Sequence, residues 1–229
     1  MVCISNIPAK NIILCFLIYF SFLSSAHAYN ITIDKIIDIE LKKKHDKKTV
    51  YRFKEWRKLI NKSKELPAIN KVKLVNNFFN NKNIVEYAED IYIWGQLDYW
   101  ATPIEFVFKA YGDCEDYAIA KYYTLLAMGI KDNDLRVTYV KFKTYQYGIN
   151  KDLAHMVLSF YPPRESTPLV LDNVNKKLIP ATKRDDIKFI YSFNGTKLWV
   201  AKSRKYGVYV GTSRKLGKWA KLIAKIRLN

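Results

Sequence analysis

Between Gly112 and Gly129 lies a stretch that contains neither glycine nor proline and is rich in alanine and leucine. Its sequence, DCEDYAIAKYYTLLAM, predicts a helix over residues 114–128 with Gly129 at the C-terminal cap. The first residue of this helix is Cys114, so a thiol stands at a helix start. The segment also divides the chain, because helical patterns precede it and strand patterns follow it.

The upstream patterns predict helices at 49–62, 69–80 and about 104–110, with a further short element at about 83–96. Downstream, β-branched and aromatic runs bounded by turn residues predict strands at 135–142, 154–161, 168–172, 187–193, 197–201 and Tyr206–Val210. A last helix is predicted at about 214–228, with one apolar face formed by Leu216, Trp219, Leu222, Ile223 and Ile226. Helices followed by a sheet indicate an α+β fold.

The N-terminal segment has the features of a secretory signal peptide. Lys10 precedes an apolar run from Ile12 to Leu23, and Ala26–His27–Ala28 provides a small-x-small cleavage site. A membrane anchor is the alternative, but the run is shorter than the ~20 residues that a span requires. We therefore expect a signal peptide at 1–28, a single domain at 29–229 and an exported protein.

Export changes the significance of the cysteines. Cleavage after Ala28 removes Cys3 and Cys15 and leaves Cys114 alone, without an internal disulfide partner. A lone thiol is either a buried small side chain or a reactive group. At a helix start, the unpaired N–H groups and the helix dipole favour a thiolate, and the same N–H groups can hold an oxyanion.

Histidine is scarce in the mature sequence. His45 lies in a lysine-rich polar stretch and is expected to be solvated, whereas His155 lies in a predicted strand between apolar neighbours. Asp172 ends the apolar run Leu169–Leu171, where an unpaired carboxylate would be costly. If the two strands are neighbours, Asp172 orients His155, and His155 serves as the base for Cys114. The alternative is a structural histidine that is only hydrogen-bonded.

Three acids, Asp113, Glu115 and Asp116, surround the cysteine and act against the helix dipole, because nearby carboxylates raise the pKa of a thiol. A bound divalent cation would neutralise them, and oxygen-only ligands select calcium. The same acids also fit the ordinary role of an N-cap and first-turn charges. Calcium takes about six to eight oxygens, more than these three residues supply.

The segments WATP at 100–103, GDCEDYAIAKYYTL, LRVTYV, AHMVLSFY and LVLDN resemble the bacterial transglutaminase-like cysteine proteinases of the LapG type. The resemblance covers roughly residues 50–200. It implies a papain-like core in which the nucleophile helix packs on an antiparallel sheet. It also implies a triad of Cys114, His155 and Asp172, and calcium ligands at Asp113 and Glu115, with Asp116 adjacent.

The resemblance further implies a biological role. Enzymes of this type are periplasmic, calcium-dependent endopeptidases that cleave a large surface adhesin near its N-terminus and so release biofilm. An inner-membrane cyclic-di-GMP receptor sequesters them. A transglutaminase or other acyltransferase would use the same Cys-His-Asp chemistry and remains an alternative. A non-catalytic binding module is disfavoured because all three members of the triad are present.

The net charge of the chain is compatible with more than one class of binding partner. The formal net charge is +18, or +17 once Lys10 is removed, and the last 43 residues hold eleven lysines or arginines and no acid. Such a stretch suits nucleic acid, an anionic membrane or an acidic protein. Export disfavours nucleic acid, so we expect either a solvated surface or peripheral contact with an acidic receptor or an anionic membrane. Trp94 and Trp100, upstream of the cysteine, are expected to pack in the core; a cleft wall or an oxyanion donor is the alternative.

Overall fold

The computed structural model describes residues 33, 35–146, 149–163, 165, 167–205 and 207–228. The expected signal peptide lies outside these residues. Within the described part of the chain, no helix is both long enough and apolar enough to cross a membrane.

Helices occupy the first half of the described chain. A helical segment at 35–42 precedes α1 (Lys47–Ser63), α2 (Ala68–Phe79), α3 (Asp90–Trp94), α4 (Pro103–Lys109) and α5 (Cys114–Ala127). The short strands β1 (Glu86–Tyr87) and β2 (Tyr111–Gly112) pair in parallel. The helices predicted at 49–62, 69–80, about 104–110 and 114–128 are confirmed to within two residues at each end. The short element predicted at 83–96 consists of β1 and α3.

Local side chains set where these helices begin and end. Asp46 Oδ1 accepts hydrogen bonds from the backbone N–H groups of Lys48 and Thr49, at 2.8 and 3.0 Å, and so caps α1. Thr102 and Glu105 form a reciprocal capping box at the start of α4. Ala110, with φ of +63°, ends α4 in the left-handed region and turns the chain into β2. This turn leads directly to the start of α5.

Helix α5 is the centre of the core. Every residue from Glu115 to Ala127 is buried, so the helix is covered on all sides. Trp56 of α1 packs nearby and donates from Nε1 to Thr124 Oγ1 at 2.9 Å. Gly129 follows with φ of +84°, a conformation that glycine adopts without the penalty of a Cβ.

The second half of the chain forms a seven-stranded antiparallel sheet in the order β6-β5-β4-β3-β7-β8-β9. The strands are β3 (Leu135–Gln146), β4 (Ile149–Phe160), β5 (Leu169–Leu171), β6 (Ile179–Pro180), β7 (Ile187–Phe193), β8 (Lys197–Ala201) and β9 (Gly207–Thr212). Helix α5 packs on β4 and β3. The expected α+β fold, with the cysteine helix on an antiparallel sheet, is confirmed.

In the sheet and the last helix, four boundaries differ by two residues or more from the predicted ones. Strand β3 continues through Gln146 and strand β4 begins at Ile149, so both strands extend beyond the predicted apolar runs. Strand pairing uses backbone hydrogen bonds and therefore continues through polar residues. Strand β9 runs to Thr212, two residues beyond Val210. A 3₁₀ turn at Ser213–Lys215 delays the last helix, α6, which spans Gly217–Leu228.

The predicted apolar face of α6 lies in the core. Trp219, Leu222, Ile223 and Ile226 are buried, and Trp219 Nε1 donates to the Asn194 carbonyl at 3.0 Å. The polar face is also anchored, since Lys218 pairs with Asp98 and Lys225 pairs with Glu105 at 2.5 Å.

Candidate active site

Strand β4 and the residue after β5 bring His155 and Asp172 together. Leu158 pairs with Leu171 in antiparallel strands, so the chain leaves β5 in the direction of His155. The Nε2 atom of His155 donates to Asp172 Oδ1 at 2.8 Å. The two side chains are 7% and 0% exposed, so this pair is almost completely removed from water.

Asp172 is held as an anion by its neighbours. Burial acts to raise its pKa, but the hydrogen bond and charge of His155 and the backbone N–H of Val174 hold the pKa below the usual range. Arg184 adds to this effect, because its Nη2 donates to Asp172 Oδ2 at 2.7 Å. A permanently charged carboxylate keeps the Nε2 proton on His155 and leaves Nδ1 free for proton transfer.

Two further side chains hold the backbone of Asp172. Its carbonyl accepts hydrogen bonds from Asn80 Nδ2 at 2.8 Å and from Lys121 Nζ at 3.1 Å. Lys121 is fully buried, and burial lowers its pKa to about 7. Asn80, Lys121 and Arg184 were not predicted from the sequence as part of this site. A lysine inside the apolar part of α5 was a visible signal for Lys121, whereas Arg184 lies in KRDD, which has the composition of a solvated loop.

Cys114 begins α5 and faces the same strand. Its Sγ donates to Glu115 Oε2 at 3.1 Å, and the backbone N–H of Met156 reaches the sulfur. Met156 follows His155 in β4, so the sulfur contacts the strand at the residue next to the histidine. The structure therefore brings Cys114, His155 and Asp172 to one place, as the sequence predicted.

The surroundings of Cys114 oppose ionisation of the thiol in the protein alone. Burial and the charges of Glu115 and Asp113 raise the pKa of Cys114 well above its ordinary value, while the Met156 N–H acts in the opposite direction. Of the two opposing predictions, the one based on the carboxylates holds. An active thiol at this position needs those carboxylates to be neutralised.

Five acids surround the start of α5: Asp90, Asp98, Asp113, Glu115 and Asp116. Within the sets Asp90–Asp113–Asp116 and Asp90–Asp98–Glu115, one oxygen from each acid lies within 4.8 Å of the others. Burial, followed by the charge of Glu115, raises the pKa of Asp113 to about 9. Burial also raises the pKa of Glu115 and Asp116. The three predicted acids thus lie together, joined by two that the sequence analysis did not assign.

Asp90 and Asp98 reach the cluster through an element that the sequence did not reveal. The two-residue pairing of β1 with β2 places the chain before α3 alongside the chain before α5. Strands this short leave no periodic signal. Asp98 lies in the following loop, within WGQLDYW, where an acid between aromatics was the only available hint.

The acid cluster contains buried oxygens without partners. Among the described residues, Asp90 Oδ1, Asp113 Oδ1 and Asp116 Oδ2 are buried with no hydrogen-bond donor. Each such group costs about 1–3 kcal/mol if nothing compensates it. Asp113 occupies the N-cap position of α5, but this oxygen does no capping. Gly112 makes room for the cluster, because a Cβ there would collide with Asp116 Oδ2 and approach Phe106 at 2.7 Å.

His45, Trp94 and Trp100 were also given expected environments from the sequence. His45 was expected to be solvated, and this is wrong: its Nε2 lies 3.0 Å from Glu40 Oε2, and its ring packs on Phe108. Trp100 stacks on Phe193 with ring centroids 5.9 Å apart, and Trp94 packs against Tyr99 at 4.4 Å. Both tryptophans contact the core, as expected.

A thiol at a helix start, beside a buried His–Asp pair on an antiparallel sheet, defines the papain-like class of thiol hydrolases. The family model for the bacterial transglutaminase-like cysteine proteinases matches residues 33–205. The chain belongs to this family and is a cysteine protease. A comparison with curated proteins found no match.

Solved structures of LapG from Legionella pneumophila are similar to this chain over nearly their whole length. The EGTA-treated form is 39% identical with a TM-score of 0.68, covering 86% of this chain and 97% of the other. The calcium-bound form is 38% identical with a TM-score of 0.71, covering 84% and 98%. A further LapG structure is 38% identical with a TM-score of 0.67, covering 86% and 97%.

Proposed function

We propose that the protein is an endopeptidase in which Cys114 is the nucleophile, His155 the base and Asp172 the residue that orients the histidine. The observation that carries this proposal is the buried His155–Asp172 pair, with 2.8 Å between Nε2 and Oδ1. The next residue of β4, Met156, directs its backbone N–H to the thiol of Cys114. His155 Nδ1 takes the proton of the thiol as sulfur attacks the peptide carbonyl. It then gives that proton to the departing amine.

The products of this first step are a free amine and a thioester on Cys114. Water, deprotonated by the same histidine nitrogen, attacks the thioester, and the thiol regains its proton when the acyl group leaves. Backbone N–H groups at the start of α5 are the available donors for the oxyanion, because the first turn of a helix leaves them unpaired.

We further propose that the five acids at the start of α5 hold Ca²⁺. The fit rests on their chemistry: the ligands are all oxygens, three of the oxygens are buried without donors, and the pKa values of the acids that flank Cys114 are raised. When bound, the ion supplies positive charge that favours the thiolate. The carboxylates themselves join the α3 region to the start of α5. The calcium-bound form of the similar LapG supports this choice of ion.

The proposed substrate is a large surface adhesin, cut near its N-terminus so that biofilm is released. The proposed regulator is an inner-membrane cyclic-di-GMP receptor that sequesters the protease. The support for both is the family resemblance of the motif segments and the similarity to LapG. Basic residues of the C-terminal stretch are proposed to make peripheral contact with an anionic membrane; Lys218 and Lys225 are already paired within the protein.

The test of this function is the cleavage of candidate adhesins. We expect the mature protein with calcium to make one discrete cut in the N-terminal region of a large adhesin from the same bacterium. Mass spectrometry of both fragments locates the cut and shows whether water or an added amine accepted the acyl group. Amine-capped products alone would indicate a transferase, and fragments produced equally by Cys114→Ala would exclude a thiol protease.

Export gives a separate prediction. If residues 1–28 are a signal peptide and residues 29–229 the mature domain, periplasmic material will begin at Tyr29. Intact-mass measurement after osmotic release checks this, with total cell protein as the control for unprocessed chain. A released protein that still contains Cys15 would contradict cleavage after Ala28.

A further inference from the structure

Two cavities on the surface share part of their walls. The larger, of about 430 Å³, lies among Lys48, Tyr51, Arg52 and Tyr111, and the smaller, of about 230 Å³, lies among Tyr87, Tyr117, Asn173 and Lys176. Lys82 and Glu86 line both cavities. The two are therefore neighbouring parts of one depression, which we call the β1 groove because it borders strand β1.

One end of the β1 groove adjoins the proposed triad. Asn173 follows Asp172, and Tyr117 lies one helical turn after Cys114. Tyr87 pairs with Gly112, two residues before the thiol. Residues that line this end of the groove thus lie close to Cys114 and Asp172 in the sequence or through strand pairing, on the side where a flank of the scissile bond would run.

The charges in the groove are mainly positive. Lys48, Arg52, Lys82 and Lys176 line it, against the single acid Glu86. Arg52 is fixed in place, because its Nε donates to the Val107 carbonyl at 2.8 Å and its Nη2 to the Phe108 carbonyl at 2.9 Å. The charge of Asp46 acts on Arg52, but the Asp46 carboxylate already accepts the hydrogen bonds that cap α1.

Aromatic side chains alternate with these charges. Tyr51, Tyr87 and Tyr111 line the groove and are 50%, 58% and 48% exposed. Half-exposed tyrosines supply flat contact area for an extended backbone at low entropic cost.

We propose that the β1 groove binds an acidic, extended stretch of the substrate polypeptide that flanks the scissile bond. The inference rests on the proposed endopeptidase function and adds a substrate class to it. The cations of the groove lie to one side of the thiol, so an acidic flank is drawn to that side. This orients the substrate before cleavage.

Binding to Cys114→Ala tests the proposal independently of cleavage. Two labelled peptides share one central sequence, and one carries four Asp or Glu residues in a flank where the other carries Asn or Gln. With calcium present, we expect the acidic peptide to bind more tightly. Changing Lys82 to Glu should weaken its binding by about three- to tenfold and leave the neutral peptide unchanged.

Lys188→Glu is the matched control, since it makes the same charge change at an exposed position of β7 outside the groove. A peptide with lysines in the same flank should bind better to the Lys82→Glu variant than to its parent. Equal affinity for acidic and neutral peptides, or equal losses in Lys82→Glu and Lys188→Glu, would overturn the groove assignment. Kinetics of the parent enzyme on the neutral peptide separately report whether the thiol protease itself works.

Discussion

Cys114→Ala is expected to leave no measurable cleavage and an unchanged fold. The substitution removes only a sulfur at a helix start, so packing changes little, whereas losing the nucleophile of a triad costs at least about 10⁴-fold in rate. His155→Ala should be as severe, because no other described histidine reaches the thiol. Cleavage rates over a time course, with circular dichroism of each variant, check this result.

Asp172→Asn is the more informative member of the same series. Its amide nitrogen would face His155 Nε2 and favour the wrong tautomer, so we expect a loss of about 10³- to 10⁴-fold with the fold retained. Asp186→Asn is the matched control, because Asp186 also binds Arg184 Nη2 at 2.7 Å but has no contact with the histidine. Similar losses in the two variants would show that the Arg184 network, and not the orientation of His155, is the sensitive element.

Removing calcium is the second large effect expected. A calcium chelator should stop cleavage, calcium should restore it, and magnesium should restore it poorly because it requires a tight octahedral shell. Alkylation of Cys114 by iodoacetamide gives a readout that does not depend on a substrate. It should be slow in chelator, where the carboxylates raise the pKa of the thiol, and faster with calcium.

Thermal stability should report the same site. Calcium should raise the melting temperature by mass action, and Asp116→Asn should abolish that increase. Gly112→Ala should also weaken it by displacing Asp116 without changing any charge. Asp152→Asn, half-exposed on β4, serves as the control. Activity in excess chelator, together with no calcium-dependent thermal shift, would return these acids to the role of ordinary helix-start charges.

The pH dependence follows from the raised pKa of Asp113. The unfolded carboxyl loses its proton near its ordinary pKa of 3.8, while the folded one keeps it up to about 9. The unfolded state therefore releases its proton first, and the stability of the protein without calcium falls as pH rises through this window. Calcium should flatten that slope, which melting curves at several pH values measure.

The three residues of the proposed triad could be selected from the sequence because each was an anomaly in its own segment. Cys114 was a lone thiol, His155 interrupted an apolar strand and Asp172 ended another. The antiparallel pairing of β4 with β5 was sufficient to join the last two. Helix positions were equally accessible, since the spacing of apolar residues and the flanking Gly129 are local signals.

The rest of the site depends on long-range contacts that leave no local pattern. Asp90 reaches the acids at the start of α5 only through the β1–β2 pairing, and Arg184 reaches Asp172 through a loop whose sequence is polar. The error over His45 has the same origin. A lysine-rich neighbourhood indicates solvent, yet tertiary packing places its ring against Phe108 and its nitrogen near Glu40.

Helix α6 bears on the order in which the described chain folds. The Trp219 ring packs within 6.5 Å of the rings of Trp100, Tyr122, Tyr123 and Phe193, which all precede it in the sequence. Because α6 follows every described strand, the core around α5 closes only after this helix has docked. Proteolytic activity is therefore expected to appear late in folding, after the sheet has formed.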